Sequence, residues 1–282
     1  MKLPASACDC HVHIIGSADL YPMVENRQYT PGLATLDDLS GHMADVGLER
    51  AVLVQPSVYG TDNRCMLDGL RLMEGKGRGV AVLSDDISNA ELTQLARQGV
   101  VGIRLNLESS NNQDAKAVRD SLKKWAERLE SFGWHLQVYA SFQVITASLD
   151  YFDGLSVPVV LDHFAMMPVG SGHMQGIEAL LKALRRGNIY LKLSASYRIA
   201  GQGSDLAVKH LAARLLDANP DRLLWGSDWP HTNRAPGKLP TEVSPYRSIG
   251  AERLSRELAA WLPSAELAGK VLVENPARLY RF

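Results

Sequence analysis

The sequence predicts an α/β protein, a (β/α)8 barrel of the TIM type that occupies residues 1–282 as one domain. Three observations point there. Eight short β-rich runs follow one another along the chain. Amphipathic helical stretches separate most of them. Polar residues gather at the C-terminal ends of the runs. A closed barrel sets its first and last strands side by side, so residues from both ends of the chain meet at one mouth.

The eight runs cover residues 7–13, 50–55, 79–83, 100–106, 134–139, 158–163, 189–194 and 222–227. Helical patterns cover residues 36–46, 90–98, 115–132, 176–186 and 205–218. Thr35 with Asp38 three residues later marks a helix start. Gly47, Gly99, Gly133 and Gly187 each follow a helix and precede a strand, where the chain wants a left-handed residue. Three connections exceed the minimum length: residues 14–34, residues 108–114, and residues 229–244 with Pro230, Pro236 and Pro240. All three leave strand C-termini, so they are expected to cover a substrate. Residues 274–280 read as a helix break and a short closing turn.

Composition narrows the function classes. With 46% hydrophobic and 22% charged residues, the chain reads as an ordinary globular protein. The net charge of −1 and the absence of a basic run argue against nucleic acid as a partner. No apolar run reaches the roughly 18 residues of a membrane span, and no signal peptide is visible. The three cysteines, Cys8, Cys10 and Cys65, form no Cys-x-x-Cys pair and predict reduced thiols in a cytoplasmic protein. Alternation along the first run turns Cys8 and Cys10 away from the histidines. The sequence carries no signal for an oligomeric state.

The strand ends hold the candidate chemistry. His11 and His13 stand two apart in an extended run and share a face. Ser57 follows the second run, Arg104 and Asn106 end the fourth, Tyr139 ends the fifth, and His163 ends the sixth. Arg198 follows the seventh, and Asp228 follows the eighth within Leu-Leu-Trp-Gly-Ser-Asp-Trp-Pro-His. Asp228 suits a general base. His163, His11 and His13 suit either hydrogen-bond donors to a developing oxyanion or metal ligands. Arg104 and Arg198 suit carboxylate binding, and Ser57 and Tyr139 add hydroxyl donors. His135 opens its strand and reads as structural. His42, His173 and His210 read as surface residues. Trp229 and His231 line or brace the pocket, and the facing of Lys192 stays open.

Asp-Cys-His-Val-His (residues 9–13), Leu-Val-Gln-Pro-Ser-Val-Tyr-Gly-Thr-Asp-Asn (53–63), Gly-Ile-Arg-Leu-Asn (102–106), Leu-Asp-His-Phe (161–164), Leu-Trp-Gly-Ser-Asp-Trp-Pro-His (224–231) and Glu-Asn-Pro-Ala-Arg-Leu-Tyr (274–280) run from end to end of the chain. Together they resemble the lactonase branch of the amidohydrolase superfamily. The resemblance implies a distorted (β/α)8 barrel and hydrolysis of a small carboxylated lactone. That lactone is of the 2-pyrone-4,6-dicarboxylate kind or a sugar-acid lactone. By the same resemblance Asp228 activates water, His163 polarises the lactone carbonyl with His11 and His13, and Ser57, Arg104, Tyr139 and Arg198 hold the substrate. Tyr139 stands where many superfamily members place a His or Lys metal ligand, which favours a reaction without metal. The alternatives are a single zinc on His11, His13, His163 and Asp228, a sugar-acid lactone isomerase, and a non-catalytic binding protein. The loop at residues 108–113 lacks an arginine that the dicarboxylate-opening members are expected to carry. Asn111 and Asn112 there would instead suit the hydroxyls of a sugar-acid lactone.

Overall fold

The computed structural model describes residues 2–106, 115–169, 171–201 and 203–282. Among the described residues ten strands are β1 (Cys8–Val12), β2 (Thr30–Pro31), β3 (Arg50–Val54), β4 (Gly77–Ala81), β5 (Val100–Asn106), β6 (His135–Tyr139), β7 (Val159–Leu161), β8 (Ile189–Ser194), β9 (Leu223–Gly226) and β10 (Val243–Ser244). Eight of them form one parallel sheet in the order β1-β3-β4-β5-β6-β7-β8-β9. The predicted barrel is therefore present. The predicted loop hydroxyl contacts of Asn111 and Asn112 lie outside the described residues.

Alternation sorts the strand residues. Ala51, Leu53, Val159, Leu161, Leu191, Leu193, Leu223 and Trp225 pack outward into the large core shared with the helices. Their neighbours Val52, Val54, Val160, Tyr190 and Leu224 fill the barrel itself. The helices begin and end as their sequences direct. Thr35 and Asp38 form a capping box on α1 (Leu36–Val46), and Gly47 closes it with φ 88°. Ser88 and Glu91 form the same capping box on the helix Asn89–Arg97.

Three differences from the sequence expectation have physical causes. The run expected at 79–83 is β4 at Gly77–Ala81, shifted because Gly77 and Gly79 give little strand signal, and a further helix, Arg64–Leu72, precedes it. Those glycines make room for the helix: a Cβ on Gly79 would lie 2.7 Å from Leu70 Cδ1, and one on Gly77 2.7 Å from Met73 Sδ. A helix also follows the last long loop at Ala251–Trp261, and Asn275–Tyr280 is helical rather than a turn. Finally, Cys8 and Cys10 pack inside the barrel, on the side of the histidines. A register shift between Asp9 and Val12 inserts one extra residue opposite β3, so simple alternation fails at His11.

The chain ends meet at β1 and β9. Asp228 N donates to His11 O at 3.0 Å, and His13 N donates to Trp229 O at 2.8 Å. One layer down the Asp9 carboxylate substitutes for a backbone acceptor, taking Ser227 N at 2.9 Å and His11 N at 3.1 Å. Gly226 permits this approach, since a Cβ there would stand 2.7 Å from that of His11. The opposite end of the barrel is sealed by the C-terminus. Arg50 and Arg78 lie over the Phe282 ring, and Tyr280 packs edge-on to His135. Over the mouth, β2 and β10 pair in parallel and join the two long loops at residues 14–34 and 229–244. Among the described residues no helix is long and apolar enough to cross a membrane.

Candidate active site

Inside the barrel the polar residues form two layers. The lower one is centred on Asp162. Arg104 donates to Asp162 Oδ2 through Nε at 3.1 Å and lies at 3.1 Å through Nη2, and Gln137 Nε2 donates to the same oxygen at 3.1 Å. Oδ1 lies 3.2 Å from His11 Nδ1 and 3.4 Å from Lys192 Nζ. Lys192 Nζ also donates to Gln137 Oε1 at 2.7 Å and sits 3.2 Å from His11 Nδ1. Lys192 thus faces the barrel interior, as its position two residues before Ser194 requires. Burial pushes its pKa down, with Asp162 acting against that push. Burial alone would raise Asp162, yet the positive groups around it hold it well below the ordinary carboxylate value.

The upper layer is centred on Asp228. Its Oδ2 accepts from Tyr197 Oη at 2.6 Å and from Arg198 Nε at 3.0 Å and Nη2 at 2.8 Å. Its Oδ1 is buried without a hydrogen bond. That oxygen faces three imidazole nitrogens: His13 Nε2 at 3.6 Å, His11 Nε2 at 3.7 Å and His163 Nε2 at 3.8 Å. Burial raises the Asp228 pKa and Arg198 lowers it; the balance holds it well below 3.8. His163 is lowered to about 3 by burial, so it is neutral at ordinary pH. His163 and Asp228 leave their strands with φ of 51° and 63°. Such conformations cost on the order of 1–2 kcal/mol for a non-glycine residue and are held by surrounding packing.

Hydrogen bonding fixes how these rings present themselves. His13 Nδ1 lies 2.7 Å from Val54 O, a group that only accepts, so Nδ1 carries the proton. A neutral His13 then turns a lone pair toward Asp228 Oδ1, which suits the ligand alternative rather than the donor one. His163 Nδ1 lies 2.9 Å from Ser194 Oγ, a group able to donate or accept. With the serine donating, His163 Nε2 carries a proton into the site.

A cavity of about 670 Å³ opens above this layer. It is lined by His13, Ser57, Arg104, Asn106, Tyr139, His163, Arg198 and Asp228, so all but one of the residues singled out in the sequence border the same space. The remaining one, His11, is fully buried beneath it. Arg104 lies 5.3 Å from the Tyr139 ring centre, and Tyr139 meets His163 edge-on at 5.2 Å. Both predicted carboxylate-binding arginines are already engaged by aspartates. His42 is not a surface residue: it stacks on Trp229 with ring centres 5.8 Å apart and faces Asp9 at 3.9 Å.

The sequence reading did not assign Gln137, Asp162, Lys192 or Tyr197, nor the rim residues Gln28, Tyr29, Thr232, Arg234 and Arg247. Period-two alternation from Ser194 and Tyr139 would have found Lys192 and Gln137. Nothing local marks the rim residues, which arrive on the two loops joined by β2 and β10.

The donors His11 Nε2, His13 Nε2 and Asp228 Oδ1 also suit a divalent cation. They lie within 4.8 Å of one another, and His13 directs a lone pair among them. Two imidazoles and a carboxylate are a ligand set from which a catalytic metal keeps an open position.

A family model described as amidohydrolase matches residues 8–282. Among curated relatives, the 2-pyrone-4,6-dicarboxylate hydrolase of Comamonas testosteroni is 34% identical over 99% of this chain and 91% of its own length. A 4-sulfomuconolactone hydrolase of Hydrogenophaga intermedia is 28% identical over 99% of this chain and 89% of its own. A solved structure from Pseudomonas putida, carrying the working description 2-pyrone-4,6-dicarboxylic acid hydrolase, is 29% identical. It superposes with a TM-score of 0.81 over 99% of this chain and 98% of the other.

Proposed function

The chain belongs to the amidohydrolase family, and on that premise we propose that it hydrolyses a small carboxylated lactone with Asp228 as the base. One observation carries the reading. Asp228 has one oxygen clamped by Tyr197 and Arg198 while the other stands free among three imidazoles at the cavity floor. Water seated there gives one hydrogen to Asp228 Oδ1 and one to His13 Nε2, leaving a lone pair for the lactone carbon. As that lone pair bonds to carbon, its proton passes to Asp228 and the carbonyl oxygen becomes an oxyanion held by His163 Nε2–H. Collapse breaks the ring C–O bond, and Asp228 returns the proton to the ring oxygen. The net change is lactone plus water to hydroxy acid. Ser57, Asn106 and Tyr139 border the ring. The buried free thiols of Cys8, Cys10 and Cys65 suit a reducing compartment, in line with a cytoplasmic enzyme.

The lone pair of His13 and the low pKa of Asp228 favour a second reading. A carboxylate this acidic is a weak base, and a divalent cation on His11, His13 and Asp228 would supply acidity to water directly. The deciding experiment is hydrolysis of 2-pyrone-4,6-dicarboxylate and a panel of sugar-acid lactones by chelator-treated protein. Release of the ring-opened acid without metal supports the Asp228 route. Activity that is lost and returns with zinc assigns the cation. No hydrolysis of any lactone in either state refutes both.

A further inference from the structure

The cavity holds more positive charge than its two aspartates consume. Of its fifteen lining residues, four are arginines and one is a carboxylate. Arg198 is bound to Asp228, and Arg104 to Asp162 in the layer beneath. Arg234 and Arg247 remain. Among the described residues neither has a carboxylate within ion-pair distance. Arg234 uses one Nη1 hydrogen on Gln28 Oε1 at 3.3 Å. Arg247 is braced from two sides, with Nη1 donating to Thr232 O and its guanidinium 4.8 Å from the Tyr197 ring centre. Each keeps other N–H groups for a guest.

Their placement is set by the clasp at the mouth. Arg234 and Arg247 flank β10, and β10 pairs with β2, just past Gln28 and Tyr29. Ser244 Oγ in β10 accepts from Ala235 N at 2.9 Å and pins the chain beside Arg234. Tyr246 Oη donates to Gly32 O at 2.6 Å and fixes the segment beside Arg247 to the first loop. Both guanidiniums line the cavity wall: Arg234 is exposed at its edge, and Arg247 stands against Tyr197, whose hydroxyl holds Asp228. Arginine is suited to such a place because its fork matches the two oxygens of a carboxylate or sulfonate.

We propose that Arg234 and Arg247 form a second anion subsite in the cavity wall, which takes a second carboxylate or sulfonate of the substrate. The enzyme then selects dianionic lactones although Arg104 and Arg198 are held by its own aspartates. The identity of the guest rests on the lactonase reading; the subsite itself rests on the geometry of the two arginines.

The test measures binding, so it does not depend on turnover. Isophthalate, 3-sulfobenzoate and benzoate are titrated calorimetrically into the full-length protein. They share a flat ring and differ in the second anion. Wild-type protein is expected to bind isophthalate roughly tenfold tighter than benzoate. In the double variant R234Q/R247Q that ratio is expected to fall close to one. Arg234 is exposed and holds only Gln28, so R234Q alone keeps the fold and is expected to lose part of the preference. A wild-type ratio near one, or a ratio that survives in both variants, overturns the proposal. Preference for 3-sulfobenzoate over isophthalate assigns a sulfonate guest, and the reverse assigns a carboxylate. Failure of every lactone to be hydrolysed while the ratio behaves as expected refutes the lactonase reading and leaves the anion subsite standing.

Discussion

Two buried aspartates, one layer apart in the same barrel, each leave Oδ1 without a hydrogen bond, and those two oxygens face different groups. Both Asp162 oxygens have a charged neighbour, with Arg104 at 3.1 Å on one side and Lys192 at 3.4 Å on the other. Asp228 is supported on one oxygen only, and the other faces imidazole nitrogens at distances too long for a hydrogen bond. A buried charge costs several kcal/mol unless it is paired, so the sequence must gain something from leaving half of Asp228 unpaired. The gain is an oxygen that meets reactants. Asp162 is built to stay as it is, and Asp228 is built to exchange a proton.

The sharpest way to break this contrast is to change Asp228 to Asn. The substitution keeps the shape and the Arg198 and Tyr197 neighbourhood but removes the proton acceptor. Turnover is expected to fall by roughly a thousandfold, with binding of the intact lactone largely retained. A variant with near-normal kcat would remove Asp228 as the base and make its free oxygen a structural accident.

The contrast was only half legible in the sequence. Asp228 stood out because an apolar run ended in a polar tip, and His11 and His13 because two histidines shared a face. Asp162 lay within a motif but gave no hint of its role, because its partners come from four other strands. Lys192 stands inside an apolar run, and only its contacts with Gln137 and His11 define its facing. The barrel followed from eight periodic runs, whereas the bulge between Asp9 and Val12 did not. A bulge leaves no mark in composition, and it alone put Cys10 on the histidine side. The rim arginines were invisible for a different reason. Their meaning depends on two loops joined by a single pair of two-residue strands, too short for any pattern to announce.

The lower layer sharpens the comparison by the opposite outcome. Replacing Lys192 with Met removes a buried positive group from beside Asp162, His11 and Gln137. Leaving that charge short of a partner is expected to cost about 3 kcal/mol of folding stability, read as a lowered denaturant midpoint. Turnover of the protein that stays folded is expected to fall far less than in Asp228→Asn. A loss of kcat as deep as that of the Asp228 variant would show that Lys192 acts on the chemistry through His11, and the two layers would be one.

The smallest effect, and the most discriminating, concerns pH. Asp228 is held well below 3.8 and His163 at about 3, so both keep one protonation state from mildly acidic to mildly basic solution. With a carboxylate base and a neutral imidazole donor, kcat/KM is expected to be flat between about pH 5 and about pH 8 and to fall only at the acid end. Stability should follow the same sign. Asp162 and Asp228 both have depressed folded values, so their contribution is present above the unfolded carboxylate pKa and is lost as pH falls through the folded values. An inflection near the ordinary histidine value of 6.5 that is lost in His163→Gln would mean that His163 donates as an imidazolium. That outcome would require its burial to be relieved when substrate is bound. A limb near pH ~7 that disappears on chelation would instead belong to the cation reading, because a cation is what brings the ionisation of water into that range. The shape of one profile thus separates a neutral donor, a charged donor and a metal at the same three imidazoles, and it does so through Asp228, the only carboxylate lining the cavity among the described residues.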